Sequence, residues 1–250
     1  MYDSSIGLVK ELPRSAGHVG ESRVRLSRDR VLSAAVRVAD ESGIETLTMR
    51  RLAEDLGSEA MSLYYHVSNK EDVLDGIAEV VAAEINDVVD RLEAPAEPWQ
   101  WKSATRRRIL AARKVVLRHP WVPEVLETRT TTGPAVLHYH DRLVGLLRAG
   151  GFSYDLVHRA LHALGSRSLG FTQELFDPGA GARETPSAEA LSGMAVQLPN
   201  LVGLMSQIVH DQPDTTLGWC DAQAEFEFGL DLILDGLDRL RPLSQEPRAQ

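Results

Sequence analysis

The chain has 250 residues, of which 43% are hydrophobic, 25% charged and 6% aromatic. That is enough apolar sequence for one large domain, or a small domain joined to a medium one, and it excludes global disorder. With 36 acidic against 27 basic residues the net charge is −9, so any contact with nucleic acid needs a local basic surface.

Residues 1–26 are polar, dotted with glycine and without period, and read as a flexible arm. Asp3, Lys10, Glu11, Pro13 and Arg14 leave no apolar stretch there for a secretory leader. From Ser27 onward helical signals follow one another and strand-like alternation is scarce, so an all-α fold is expected. Ser27 caps a helix whose apolar positions Val31, Ala34, Ala35, Val38 and Ala39 keep helical spacing as far as Gly43. Thr48 caps a short second helix with Leu52, Ala53 and Leu56 inward and Gly57 as its stop, and Ser58 opens a third. Ser68-Asn69-Lys70-Glu71 reads as a capping box for a fourth helix, which runs through Ile77, Val81 and Ile85 to about Leu92.

Ala94–Pro98 breaks that helix. Further helices are expected over 99–118, 121–128, 134–149, 153–176, 187–196, 199–209 and 217–240, with a loop at 177–186. Residues 190–210 contain no Asp, Glu, Lys or Arg, but Gln197, Pro199, Asn200, Gly203, Ser206 and Gln207 make them a core segment, not a lipid span. The lone Cys220 excludes an internal disulfide and a cysteine-based zinc cluster, and suits a small buried hydrophobe in a reducing cytoplasm. The expected organisation is a flexible arm (1–26), a three-helix helix-turn-helix module (27–74), a larger helical effector-binding and dimerisation domain entered by the fourth helix (75–243), and a tail (244–250).

Residues 48–67, TMRRLAEDLGSEAMSLYYHV, carry the sharpest signal. Two short helices meet at Leu56-Gly57-Ser58, the tight turn a helix-turn-helix needs. On a helical wheel Ala60, Leu63 and Val67 face inward, Met61, Ser62 and Tyr65 face away, and Tyr64 and His66 flank them. Such a face suits a major groove: Ser62 bonds a base edge, Met61 touches a thymine methyl, and the tyrosine hydroxyls meet phosphates. Lys70 adds a charge at a helix start, and Arg50 reaches a guanine edge or the backbone. From Ser22 to Leu52 seven arginines meet four acids, yet residues 1–75 hold ten basic and thirteen acidic residues. Binding would therefore depend on a focused stripe that Arg23, Arg25, Arg28 and Arg30 extend. Spacing alone also fits an ordinary helical hairpin in a bundle.

The segments LTMRRLAEDLG and LYYHVSNKEDVLDGI closely resemble the tetracycline-repressor (TetR) family. FEFGLDLILDGL at 226–237 resembles the last dimerisation helix of its tetracycline-repressor branch, and LRAGGFS at 147–153 the approach to the other. The resemblance implies an all-helical homodimer that binds double-stranded DNA at a palindromic operator and lets go when a small-molecule effector enters the body. By position it implies DNA contacts from Thr48, Arg50, Ser62, Tyr64, Tyr65, His66 and Lys70; Met61 stands where that branch often has a small residue or proline. In the tetracycline repressor a metal-coordinating histidine lies three residues before a Thr-Arg pair resembling Thr128-Arg129, which puts Val125 at the ligand position. Valine gives no donor, so a tetracycline–magnesium effector is not expected, nor any metal or other cofactor.

We assign the effector pocket to Trp121, Val125, His138, Asp141, His162 and Met194. His138/His140 and His158/His162 read as polar groups at helix interfaces, because no third and fourth metal ligand accompanies either pair. Trp99, Trp101, Trp121 and Trp219 read as core or interface anchors, and Arg106-Arg107-Arg108 as a solvated helix face. Pairing of subunits is assigned to Leu161, Leu164, Phe171, Phe226, Leu230, Ile233, Leu234 and Leu237. The chain is thus expected to be a cytoplasmic, ligand-responsive repressor with no membrane partner and no catalytic residues. A ligand-responsive activator or co-regulator, and a helical enzyme keeping a vestigial helix-turn-helix, remain open alternatives.

Overall fold

The computed structural model describes residues 25–169, 188–207 and 222–241, and the regular structure among these is helical throughout. Helix α1 (Arg28–Ser42) starts where Ser27 Oγ accepts from the Arg30 amide at 3.3 Å, and it stops at Gly43. Gly43 takes φ +86°, a conformation that a side chain would strain. Helix α2 (Met49–Asp55) is capped by Thr48, whose Oγ1 accepts from the Arg51 amide at 3.1 Å. Helix α3 (Ala60–Leu63) follows after a turn at Gly57, φ +59°.

Two expected caps move. Ser58 does not open α3: its amide closes the end of α2 on the Ala53 carbonyl at 3.0 Å, and Glu59 takes the cap position without a side-chain bond. Helix α4 (Lys70–Val89) is capped by Asn69, not Ser68. Asn69 Oδ1 accepts from the Asp72 amide at 2.9 Å, and the Asp72 carboxylate accepts from the Ser68 amide at 2.7 Å. The return bond passes the cap, because Asp72 takes the amide of Ser68 and not that of Asn69, and Glu71 turns outward to Arg129.

The remaining helices are α5 (Trp101–Val116), α6 (Val122–Thr128), α7 (Pro134–Ala149), α8 (Tyr154–Leu169), α9 (Ala188–Gln197), α10 (Pro199–Gln207) and α11 (Ala222–Leu240). A 3-10 turn over Pro98–Gln100 leads into α5. Residues 1–24 of the arm, the 177–186 loop, Phe171, Trp219 and Cys220 lie outside the described residues, and Leu26 of the expected arm packs against the first of the two apolar cores.

Two apolar cores organise these helices. The first joins Val31, Ala35, Leu52, Leu63 and Val67 of the N-terminal module to Val73, Ile77 and Val81 of α4 and to Val115, Trp121, Val122 and Val125. Packing therefore runs across residue 74, and α6 rests on the same core as the helix-turn-helix. The second core joins Trp101 and Ile109 of α5 with Leu143 and Leu147 of α7, Phe152, Leu164 of α8, and Phe226, Leu230, Leu234 and Leu237 of α11. Trp101 meets Phe152 edge-on with ring centroids 4.5 Å apart. Trp99, expected as an anchor, is instead 70% exposed on the 3-10 turn, since Trp101 two residues later takes the core position.

The Arg106-Arg107-Arg108 run is not one solvated face. Successive helical residues diverge by about 100°, so the three arginines point to three surroundings. Arg106 reaches α11, bonding Asp231 at 2.7 Å and Glu227 at 2.6 Å, beside a Lys102–Asp235 pair. These two carboxylates hold the Arg106 guanidinium above its usual range. Arg107 is exposed, and Arg108 is buried against α4 and α7.

Candidate nucleic-acid interface and buried polar site

Helix α3 and the turn after it present the face that periodicity foretells. Leu63 and Val67 are buried, whereas Met61 is 71% and Tyr65 88% exposed. Tyr64 is exposed, and Ser62 and His66 are half-buried on either flank. Three large side chains held in water on one turn form an apolar–phenolic patch that packing within the module does not explain. Thr48 and Arg50 lie at the start of α2; Arg50 is exposed and pairs with Glu54 at 2.9 Å, one helical turn on. Lys70 opens α4 and is exposed.

Three arginines of the module, Arg28, Arg37 and Arg50, are spent on its own acids. Arg28, read from sequence as part of a basic stripe, makes a two-pronged bond to Asp72 at 2.6 and 3.1 Å and donates to the His66 carbonyl at 3.2 Å. The Asp72 carboxyl is lowered to about 2, first by the hydrogen bond from Arg28 and further by the Ser68 amide, against the cost of its burial. Arg37 pairs with Asp55 at 2.6 Å. Arg129, just after α6, holds the first two turns of α4, reaching Glu71 at 2.8 Å and Asp75 at 3.2 Å. The start of α4 is thus gripped by an arginine of the N-terminal module and by one that follows α6.

The six residues assigned to an effector pocket do not converge. Trp121 and Val125 are buried in the first core. His138 sits on the surface of α7, 2.8 Å from Asp90. Asp141 and His162 are exposed, His162 stacking edge-on with His158, and Met194 is half-buried on α9. A groove of ≈ 430 Å³ runs between α1, α4 and the start of α7, past Leu32, Gly76, Val80 and Ala135, and none of the six lines it. Among the described residues no three His, Cys, Asp or Glu side chains come together as a metal site.

A different polar set lies inside the body, where α4, α5 and α7 meet. Asn86 donates to the Ala135 carbonyl at 2.8 Å, and its Oδ1 has no partner. Arg108, 8% exposed, reaches Asp90 at 3.2 Å and lies over the Tyr139 ring at 5.1 Å, while its Nε has no partner. Thr105, one turn before it on α5, is fully buried with its hydroxyl likewise unpaired. Burial pushes the Tyr139 phenol up to about 12, so it is neutral and able to donate. An unpaired buried polar group costs about 1–3 kcal/mol, so an acceptor, a hydroxyl and a guanidinium N–H left without partners make this three-helix seam a candidate polar site. Sequence reading missed all four: Asn86 sits in an apolar helix, Thr105 and Arg108 in a charged run, and Tyr139 between two histidines.

The dimerisation assignment also divides. Leu164, Phe226, Leu230, Leu234 and Leu237 are buried within the subunit's own second core, with Leu161 and Ile233 half-buried beside it. Along α11, Phe228 and Leu232, one turn apart, stay outside at 63% and 56% exposed, as does the terminal Leu240.

Residues 31–77 match the family model for bacterial regulatory proteins of the tetR family, and residues 94–241 match that for the tetracyclin repressor-like C-terminal domain. An HTH-type transcriptional regulator of Saccharopolyspora erythraea is 37% identical over 127 residues, about half of either chain (51% each). The HTH-type transcriptional repressor DrrR1 of Streptomyces coeruleorubidus is 28% identical over 225 residues, 86% of this chain and 78% of that protein. Among solved structures, ActR of Streptomyces coelicolor in complex with actinorhodin superposes with a TM-score of 0.65 and 28% identity, covering 88% of this chain and all of that one.

Proposed function

Because the chain belongs to the TetR family, we propose that it is a ligand-responsive transcriptional repressor that binds a palindromic operator as a homodimer. The observation that carries the reading is the Met61–Tyr65 face, held in solvent by a buried Leu63 and Val67. Ser62 and Met61 read base edges; Tyr64, Tyr65, Thr48 and Lys70 contact phosphates; Arg50 and His66 flank them. The first-turn amides of α4 favour a phosphate oxygen, and the acids of that turn are neutralised by Arg28 and Arg129.

The effector is read by Asn86, Thr105, Arg108 and Tyr139. The unpaired atoms of Asn86, Thr105 and Arg108, beside the neutral Tyr139 phenol, suit a ligand with both acceptors and donors, such as the aromatic carbonyl and hydroxyl edge of a polyketide. The actinorhodin complex of the similar ActR supports that chemistry. Transmission to DNA passes along α4, whose far end bears Asn86 and whose first turn is held by Arg129.

The test is a gel shift on the DNA upstream of the protein's own gene, with actinorhodin as the first probe. Wild type should shift this DNA and release it with ligand. Arg108→Met should shift it equally and release it at least tenfold less readily. No shift sinks the repressor reading; equal release by both proteins sinks only the site. A promoter–reporter assay separates repression from activation.

A further inference from the structure

His119 stands in the connector between α5 and α6 and is 7% exposed. Its Nδ1 lies 2.8 Å from Asp40 Oδ1, and its Nε2 lies 3.1 Å from Glu84 Oε2. The two carboxylates come from different parts of the molecule: Asp40 from α1 of the helix-turn-helix module, Glu84 from the middle of α4. Asp40 also accepts from the Trp121 indole at 2.7 Å, and Glu84 pairs with Arg118. Burial alone would raise the Glu84 carboxyl, but the hydrogen bonds from Arg118 and His119 together hold it below its usual value. It is therefore an ionised group that accepts and does not donate.

A neutral imidazole carries one N–H, and a carboxylate has none to offer. Both contacts are satisfied only when both ring nitrogens are protonated. The groups that face the ring are Asp40 from α1, Glu84 from α4, and Arg118 and Trp121 from its own connector. With an imidazolium the two cations and two anions balance. With a neutral ring the cluster keeps one uncompensated negative charge, and a lone pair faces a carboxylate.

We propose that His119 is a proton-operated tie that seats the DNA-binding module on the body. The imidazolium pins α1 to α4 and to the α5–α6 connector at once. Loss of its proton cuts one of the two joints, so the module loosens as pH rises through the range where histidine changes charge. This tie lies apart from both the Met61–Tyr65 face and the buried polar seam, and needs neither for its action.

The experiment uses the full chain labelled with 15N. His119→Gln identifies the ring signals, and wild type should pass from two protonated ring nitrogens to one as pH rises through the range where histidine changes charge. Asp40→Asn should move that titration to lower pH, by removing one of the facing charges. A ring that stays neutral across that range, or a proton loss that Asp40→Asn leaves unmoved, overturns the proposal. Neither readout uses DNA, so failure of the repressor reading would not be mistaken for failure here. In operator binding, wild type should weaken about three- to tenfold between pH 6.5 and 8.5 relative to His119→Gln, a side chain that keeps one donor and does not titrate. Parallel pH profiles for the two proteins would also overturn it.

Discussion

A tyrosine that is 88% exposed, beside a methionine at 71%, has given up most of the burial that such side chains ordinarily gain. In the proposed complex that surface returns to contact in the groove. The roles assigned to neighbouring residues then separate by experiment. Tyr65→Ala and Lys70→Ala should weaken operator and random DNA alike, about five- to tenfold each, since phosphate contacts carry no sequence information. Ser62→Ala should leave random DNA unchanged and lower the operator-to-random ratio, because a lost base-edge bond costs about 1–3 kcal/mol of discrimination. Competition binding with both DNAs measures the three variants side by side, and identical behaviour would place the recognition turn elsewhere. This face was legible in the sequence because one period decides it: once Leu63 and Val67 go inward, Met61 and Tyr65 must go out. Arg108 was not legible. A triplet of arginines looks solvated until the helices on each side are known, and the burial of the third depends on where α4 and α7 lie.

Elements are joined here by side chains whose work sequence position does not announce. Arg28 looked like part of a basic stripe, yet it ties the start of α1 to the first turn of α4 through Asp72 and to the end of the recognition turn through the His66 carbonyl. The start of α4 was legible; its cap was not, because Ser68 and Asn69 offer the same side-chain acceptor one residue apart. The tie has a pH signature. Asp72 is held at about 2, below its ordinary 3.8, so its contribution is full above the unfolded value and is lost as pH falls toward 2. Because Arg28 is partly exposed, solvent discounts the pair to about 1 kcal/mol. Asp72→Asn should lower the midpoint of thermal unfolding by about 2–4 °C at neutral pH. The gap between wild type and variant should narrow between pH 4 and 2; a gap that stays constant would mean the carboxylate charge contributes nothing.

For the whole molecule the decisive ambiguity lay in FEFGLDLILDGL. Its apolar residues occupy so much of the wheel that the sequence shows a helix with two apolar sides without showing which side belongs to the subunit. The structure turns Phe226, Leu230, Leu234 and Leu237 inward and leaves Phe228 and Leu232, one turn apart, outside. Ion pairs from Lys102 and Arg106 to Asp235, Asp231 and Glu227 fix that rotation, because these acids must point at α5. We therefore place pairing on the outward side of α11, since Leu164, Phe226, Leu230, Leu234 and Leu237 of the first assignment are taken by the subunit's own core. Phe228→Asp combined with Leu232→Asp should keep the helical circular dichroism, since neither side chain is in the core, and should sediment as a single subunit. A dimeric repressor gains its operator affinity from two half-sites engaged together, an advantage of about 10²–10⁴ that a monomer loses. The double variant should therefore fail to retard the palindrome at concentrations where wild type saturates it, while binding random DNA weakly at high concentration through the intact recognition turn. A double variant that remains dimeric would move the interface off this face, and one that is monomeric yet binds the operator at full strength would remove the two-fold from the mechanism.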